Sequence, residues 1–380
     1  MLVESGQGLT LDRRRFLTLT AGGVSATALL GPGGVRSAFA ADESVRWVSP
    51  RGTIEVLDDY PYWVAKKYGY FGDVQTTLEP GPSDATATVK LVDQKQADMG
   101  YPSPGVFSLG LEQGIPLVSV FHMGGSDVFD IAFRHGEKAK SVKDLEGKTI
   151  LLGSAGWQSI CDPMLYAAGV DVKTIKYVEA GWPTWGTALK AGKGDAALCW
   201  EGLRAQWKGQ GLDFDYILGK DYSKLPANSF VIRKADFDDP AKQKLYASYL
   251  QGWAAGLEFG KDNPRAATQI VMMQFPGLAS QMNPAVATES MMQLANVFGG
   301  RMDERKKWGY HLPSSWELFF ATAQKIGQIS NPIKFEDVCK NDLIDQANAF
   351  DKAKVQADAQ GFALSPDYQA VDIKAIQTSL

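Results

Sequence analysis

Short apolar runs alternate with amphipathic segments between residues 45 and 235. Runs of strand length fall at 45–48, 75–79, 97–101, 117–121, 129–133, 148–152, 175–178, 196–200 and 229–232, and Gly or Pro punctuates most of the segments between them. That alternation predicts βαβ units, mostly parallel sheets and an α/β fold. The pattern also recurs once along the chain. In Leu91 to Asp98 and again in Leu189 to Ala196, a helix closes with a polar turn and an Asp opens a strand that emerges at an aromatic, Tyr101 or Trp200. Two similar lobes are the economical reading.

From Pro240 to Ile329 the period becomes helical, with Leu245, Tyr249, Leu250 and Trp253 on one face of a long segment. Pro264, Pro276 and Pro284 mark helix starts or breaks. Met272, Met273, Met282, Met291 and Met292 fall at helix-face positions and read as core filler. After Asn331 the pattern predicts one more helix and then an extended polar end.

The first 40 residues differ from the rest. Asp12-Arg13-Arg14-Arg15-Phe16-Leu17 precedes a Gly-rich apolar stretch that ends in Ala38-Phe39-Ala40. This is the layout of a removable export signal, and its paired arginines resemble the twin-arginine type. The whole chain has 380 residues and a formal net charge of −4, but the leader carries +2, leaving −6 for the remainder. An exported periplasmic protein is expected. The acidic balance argues against nucleic-acid binding, and the three cysteines, Cys161, Cys199 and Cys339, allow at most one disulfide. A Cys161–Cys199 bridge and buried free thiols are both compatible with the spacing.

No catalytic constellation is present: there is no G-x-S-x-G elbow, P-loop or G-x-G-x-x-G, and no two of His122, His135 and His311 stand at i, i+4. No cofactor and no metal are expected. Polar and aromatic residues instead gather just past strand ends, where α/β sheets bind ligands. The first strand is followed by Glu55, Asp58, Asp59, Tyr60 and Trp63, the second by Ser83 and Asp84, and the third by Tyr101 and Ser103. His122 follows an apolar strand, and the second half contributes Trp157, Gln158, Trp182, Trp185, Trp200 and Glu201. Each has a plainer alternative. Ser83 or Asp84 would serve as a helix cap, Asp58 and Asp59 as solvated charges, Trp63 as core, His122 as a structural histidine, and Glu201 as half of an internal ion pair.

These residues resemble a known family. Tyr62-Trp63-Val64-Ala65-Lys66-Lys67-Tyr68-Gly69-Tyr70-Phe71 is similar to the signature of NMT1/THI5-like periplasmic substrate-binding proteins. Ala97-Asp98-Met99-Gly100, Gly114 to Leu117, Ser141 to Lys148 and Gly194 to Ala197 match in the same order. The resemblance implies a type II periplasmic binding protein fold, with two lobes joined by a two-strand hinge. Lobe 1 would comprise residues 42–132 plus 229–330, lobe 2 residues 133–228, and a helical tail residues 331–380, with crossovers near Arg134 and Val231. It implies a monomer that closes on a small molecule and docks on an ABC permease. Asp59 stands where several family members carry a His.

The ligand is read from the strand-end residues. They are mostly acceptors and aromatic plates, with Arg51 and Arg134 the cations nearby, and this suits a planar nitrogen heterocycle such as a pyrimidine-like compound. An aromatic or organic acid or a sulfonate is the alternative, and an enzyme related to pyrimidine synthases is the competing class.

Overall fold

The computed structural model describes residues 44–82, 86–137, 141–378 and 380. The expected leader at 1–40, Ser83 and Asp84 lie outside the described residues. In chain order the strands are β1 (Ser44–Val48), β2 (Gln75–Glu79), β3 (Met99–Gly100), β4 (Leu117–His122), β5 (Phe129–Arg134), β6 (Thr149–Leu152), β7 (Lys176–Glu179), β8 (Ala196–Trp200), β9 (Phe214–Ile217) and β10 (Ser229–Arg233). They form two five-stranded sheets, ordered β2-β1-β3-β10-β4 and β7-β6-β8-β5-β9. In each sheet one strand, β10 or β5, runs antiparallel to both its neighbours, and the other four share a direction. Those two strands are the ones that enter from the other lobe.

The repeated Asp has a physical role in both sheets. Asp98 accepts the Arg46 backbone N–H at 2.9 Å, and Asp195 accepts that of Thr149 at 2.8 Å. Each Asp also donates its own backbone N–H to the carbonyl of the same partner, at 2.9 Å in both cases. A carboxylate at this position therefore sets the register of the central parallel pair in each lobe.

The chain crosses between the sheets at 123–128 and returns at 218–228. The first boundary therefore falls earlier than the 132/133 expected, because β5 lies wholly in the second sheet, with Phe129 opposite Trp200 and Phe133 opposite Ala196. Val231 lies inside β10, opposite Ser119 and Gly100, so the second crossover ends before it. The returning crossover is bonded to the outgoing one and to the strands that flank it: Ser223 Oγ donates to Asp127, Gly219 N–H to Asp130 in β5 at 2.9 Å, and Ala227 N–H to His122 Nε2 in β4 at 3.1 Å.

The long helix Pro240–Asp262 starts at an Asp239 cap that accepts the Ala241 N–H at 2.9 Å. Its Gly252, Gly256 and Gly260 bring it against the helix Tyr60–Tyr68. A Cβ on Gly256 would stand 2.1 Å from the Pro61 carbonyl oxygen. Trp253, fully buried, packs on Trp47 and Phe230 with ring centres 5.5 and 4.7 Å away.

Two other expectations change, and the cysteines take one of their two readings. The tail after Asn331 is a series of short helices, among them Phe335–Val338, Ile344–Ala347, Lys352–Gln360, Pro366–Gln369 and Ile373–Gln377. Their apolar side chains, such as Val355 and Ile344, dock singly into the core, so the tail's overall polarity hides its packing. Of the five methionines, Met273 is 62% exposed and the rest are buried. Cys161, Cys199 and Cys339 are all buried free thiols.

His311 is fully buried, with Ser119 Oγ 2.6 Å from Nε2 and Asn341 Oδ1 3.1 Å from Nδ1, and burial pushes its pKa down to about 3. In the unfolded chain the imidazole takes up its proton near pH 6.5. The native state therefore binds fewer protons between pH 3 and 6.5, and His311 contributes stability that is present above pH 6.5 and lost as pH falls. Denaturant titrations at pH 7.0 and 5.5 are expected to show wild type losing about 1.3 kcal/mol more over that interval than His311→Gln. Equal losses would contradict the assignment.

Candidate functional site

A cleft lies between the lobes where strand ends of both sheets meet. The first lobe supplies Pro50 and Arg51 after β1, Asp58 from the next loop, and Tyr101, Pro102 and Ser103 after β3. Phe129 from β5, Leu198 and Trp200 from β8, and Trp157 and Ile160 face them from the second lobe. Asn228, on the returning crossover, and Leu294 and Phe298, on the helix Pro284–Phe298, complete the wall.

Arg51 dominates the electrostatics. One of its terminal nitrogens lies 2.7 Å from both oxygens of Asp59, and the other 3.9 Å from Asp58. Burial opposes the cation, yet Asp59 and then Asp58 outweigh it, and the guanidinium is held more firmly protonated than usual. Burial pushes the Asp59 carboxyl up while Arg51 pulls it back. The short contacts to both carboxylate oxygens keep the pair ionised at neutral pH. Asp59 thus offsets the positive charge, while Arg51, whose Nε has no partner, and Asp58 both line the cleft. Burial also raises the Tyr101 phenol, which stays a neutral hydroxyl.

Aromatic faces form the opposite wall. Trp182, Trp185 and Trp200 lie nearly parallel, at 12° to 27° with centres 4.9 to 5.8 Å apart, and Trp157 stands edge-on to all three. Gly153 makes room for this, since a Cβ there would come within 2.5 Å of the Trp157 ring. Ser103 caps the helix Pro104–Glu112 through the Val106 N–H at 3.3 Å, which fixes the loop carrying Tyr101.

Of the residues picked from sequence, the structure brings Asp58, Tyr101, Ser103, Trp157 and Trp200 to the cleft surface. Several others back it. Asp59 holds Arg51, Tyr60 stacks behind Phe298 at 6.2 Å, and Trp182 leans on Trp200. The remainder lie elsewhere. Glu55 and Gln158 are exposed, with Gln158 bonded to Asp162 at 3.0 Å. Trp63 packs edge-on to Phe275, and Trp185 is buried with its indole N–H on the Leu198 carbonyl at 2.9 Å. His122 is buried against His311 and Trp316, and burial pushes its pKa well down. Glu201 pairs with Arg204 at 2.8 Å, the internal ion-pair alternative. These side chains leave the cleft because an aromatic or ionisable group next to a strand end is as easily turned under the sheet as over it.

Phe129, Asn228, Leu294 and Phe298 carry no sequence signal of a site. Phe129 and Asn228 are ordinary residues next to strands that insert from the other lobe, and the helix bearing Leu294 and Phe298 is amphipathic like its neighbours. Among the described residues no His, Cys, Asp and Glu gather in a group that would hold a metal ion. No described helix is long and apolar enough to cross a membrane.

The NMT1/THI5 like family model matches residues 58–267, more than half of the sequence. The chain belongs to the NMT1/THI5-like family. Solved structures with the same fold include the periplasmic nitrate-binding protein of Synechocystis PCC 6803 (TM-score 0.59, 13% identity, covering 85% of this chain and 99% of that one). Another is the ligand-binding component of an ABC-type import system from Staphylococcus aureus with zinc bound (TM-score 0.58, 13% identity, 80% and 98%). A third is the alkanesulfonate-binding protein of Xanthomonas axonopodis pv. citri bound to MOPS (TM-score 0.54, 13% identity, 67% and 85%). At such identities the likeness speaks for the fold. Among curated protein sequences none matches the chain.

Arg51→Met would strand Asp58 and Asp59 as buried carboxylates without their cation. It is expected to cost about 3–5 kcal/mol of unfolding free energy in urea titration. A loss below 1 kcal/mol would show that the cluster is not a buried ion pair.

Proposed function

We propose that this protein is an exported periplasmic solute-binding protein that captures a small planar nitrogen heterocycle, pyrimidine-like in its pattern of N–H donors, and delivers it to an ABC permease. The observation that carries the ligand assignment is the neutralised Arg51. With one terminal nitrogen held by both oxygens of Asp59, the cation offers less to an anionic ligand, and Asp58 adds an acceptor. Nitrate or sulfonate recognition calls for uncommitted cations or clustered N–H donors. Aromatic rings at Trp157, Trp200 and Phe129 line the cleft and suit a planar ring that donates hydrogen bonds at its edge to Asp58.

The transport role is supported by the family membership and by neighbours of the same fold that serve as ligand-binding components of import systems or as periplasmic binding proteins. An enzymatic role receives less support, since no His or Cys lines the cleft among the described residues. Closure of the two lobes on the ligand, followed by docking of the closed form, is the expected cycle.

Thermal-shift screening of the purified protein tests the ligand class. Aminopyrimidines and related heterocycles are expected to raise Tm, while ethanesulfonate, nitrate and benzoate leave it unchanged; stabilisation by the anions alone would overturn the assignment. Asp58→Asn is expected to weaken heterocycle binding about tenfold in calorimetric titration, the loss of one charge-assisted hydrogen bond. Unchanged affinity would remove Asp58 from the site.

A further inference from the structure

The helix Pro284–Phe298 lies outside the family-matched residues 58–267, yet it touches both lobes. It is tied to the first by packing on the helix Pro264–Gln274 and by Phe298 against Tyr60, and to the outgoing crossover by its Val297 carbonyl, which accepts the Gly125 N–H at 2.9 Å. Its other face lies on the second-lobe helix Leu203–Gly209. There Ser290 Oγ donates to the Gly202 carbonyl and accepts from Gln206, both at 2.9 Å, and Gln293 accepts the Ala205 N–H at 3.3 Å.

Glycines make the contact close. Gly202 has φ +94°, and a Cβ there would meet Leu294 at 2.9 Å; one on Gly209 would meet Val286 at 2.9 Å. Ser290 and Gln293 are buried, at 0% and 1% exposure, so separating the helices would strand buried polar groups unless water replaced their partners. A second bridge lies at the helix Pro313–Lys325, where Lys325 Nζ sits 5.7 Å from the centre of the second-lobe Tyr166 ring.

We propose that the helix Pro284–Phe298 is a latch that holds the two lobes closed before any ligand binds. A hinge opening about the crossovers must carry the helix Leu203–Gly209 away from it, breaking these hydrogen bonds and uncovering the apolar faces at Leu294 and Val286. Opening is therefore an all-or-none release of this contact. Because Leu294 and Phe298 also line the cleft, the latch adjoins the site it governs. That last point rests on the cleft being the ligand site; the latch itself does not.

A designed cross-link tests it without ligand. A Cβ on Gly209 would stand 3.7 Å from the Val286 Cβ, within the disulfide range. The three native thiols are buried and free. In Gly209→Cys/Val286→Cys protein, freed of ligand and held in glutathione buffer, the bridge is expected to form to completion. Adding Ser290→Ala and Gln293→Ala is expected to slow its formation about tenfold, the effect of one or two net hydrogen bonds. A pair that stays reduced, or one that closes equally fast in both backgrounds, overturns the latch. Small-angle scattering of ligand-free wild type guards against misfolding of the variants: a profile matching the closed form supports the proposal, and a larger radius of gyration contradicts it.

Discussion

A buried guanidinium must find acceptors for its N–H groups; Arg305 finds three backbone carbonyls, whereas Arg51, at the cleft, is held by carboxylates. Arg51 sits at the end of β1, where the first sheet opens toward the second lobe, and Asp59 takes up its charge at 2.7 Å. Left alone, the guanidinium would make the cleft a receptor for anions. Paired as it is, it becomes part of the wall and orders the loop from β1 to the helix Tyr60–Tyr68. The cleft surface then combines Arg51 and Asp58 with the neutral Tyr101 hydroxyl and aromatic rings.

The same economy runs through the scaffold. Each lobe sets its central parallel pair with one Asp at a strand start, Asp98 or Asp195, and admits one antiparallel strand from the other lobe. That exchange leaves two crossovers side by side, stitched by Asp127 to Ser223, with Gly219 of the returning one bonded to Asp130 in β5. The cleft lies beside the crossovers because strand ends of both sheets converge there. Asn228 on the returning crossover donates to the Tyr101 carbonyl at 3.3 Å, so hinge and site share a hydrogen bond.

Much of this architecture is legible in the sequence. Strands from β1 to β8 and β10 announce themselves as short apolar runs, and the repeated Asp before Met99 and Ala196 marks equivalent positions in two lobes. β9 does not, because Phe214-Asp215-Tyr216-Ile217 alternates charge and ring in a loop-like setting and is a strand only through its pairing with β5. The site is legible in part. Tyr101, Ser103, Trp157 and Trp200 follow from the rule that ligands meet strand ends. Sequence does not reveal which way a side chain turns, and so Trp185, His122 and Glu201 prove to be packed beneath the sheets. Nor does it reveal contributions from afar. Leu294 and Phe298 reach the cleft from a helix whose own pattern speaks only of burial, and Asp58 is indistinguishable from a solvated loop charge until Arg51 is placed beside it.

The helices beyond the family-matched region reach the second lobe at Leu203–Gly209 and at Tyr166, and Leu294 and Phe298 line one side of the cleft. The central claim, that a neutralised Arg51 makes this a cleft for donors and not for anions, is tested most directly by paired calorimetric titrations of the ligand-free protein with 4-aminopyrimidine and ethanesulfonate. The account predicts saturable binding of the heterocycle and none of the sulfonate. Saturable binding of the sulfonate, with no heat from the heterocycle, would contradict it.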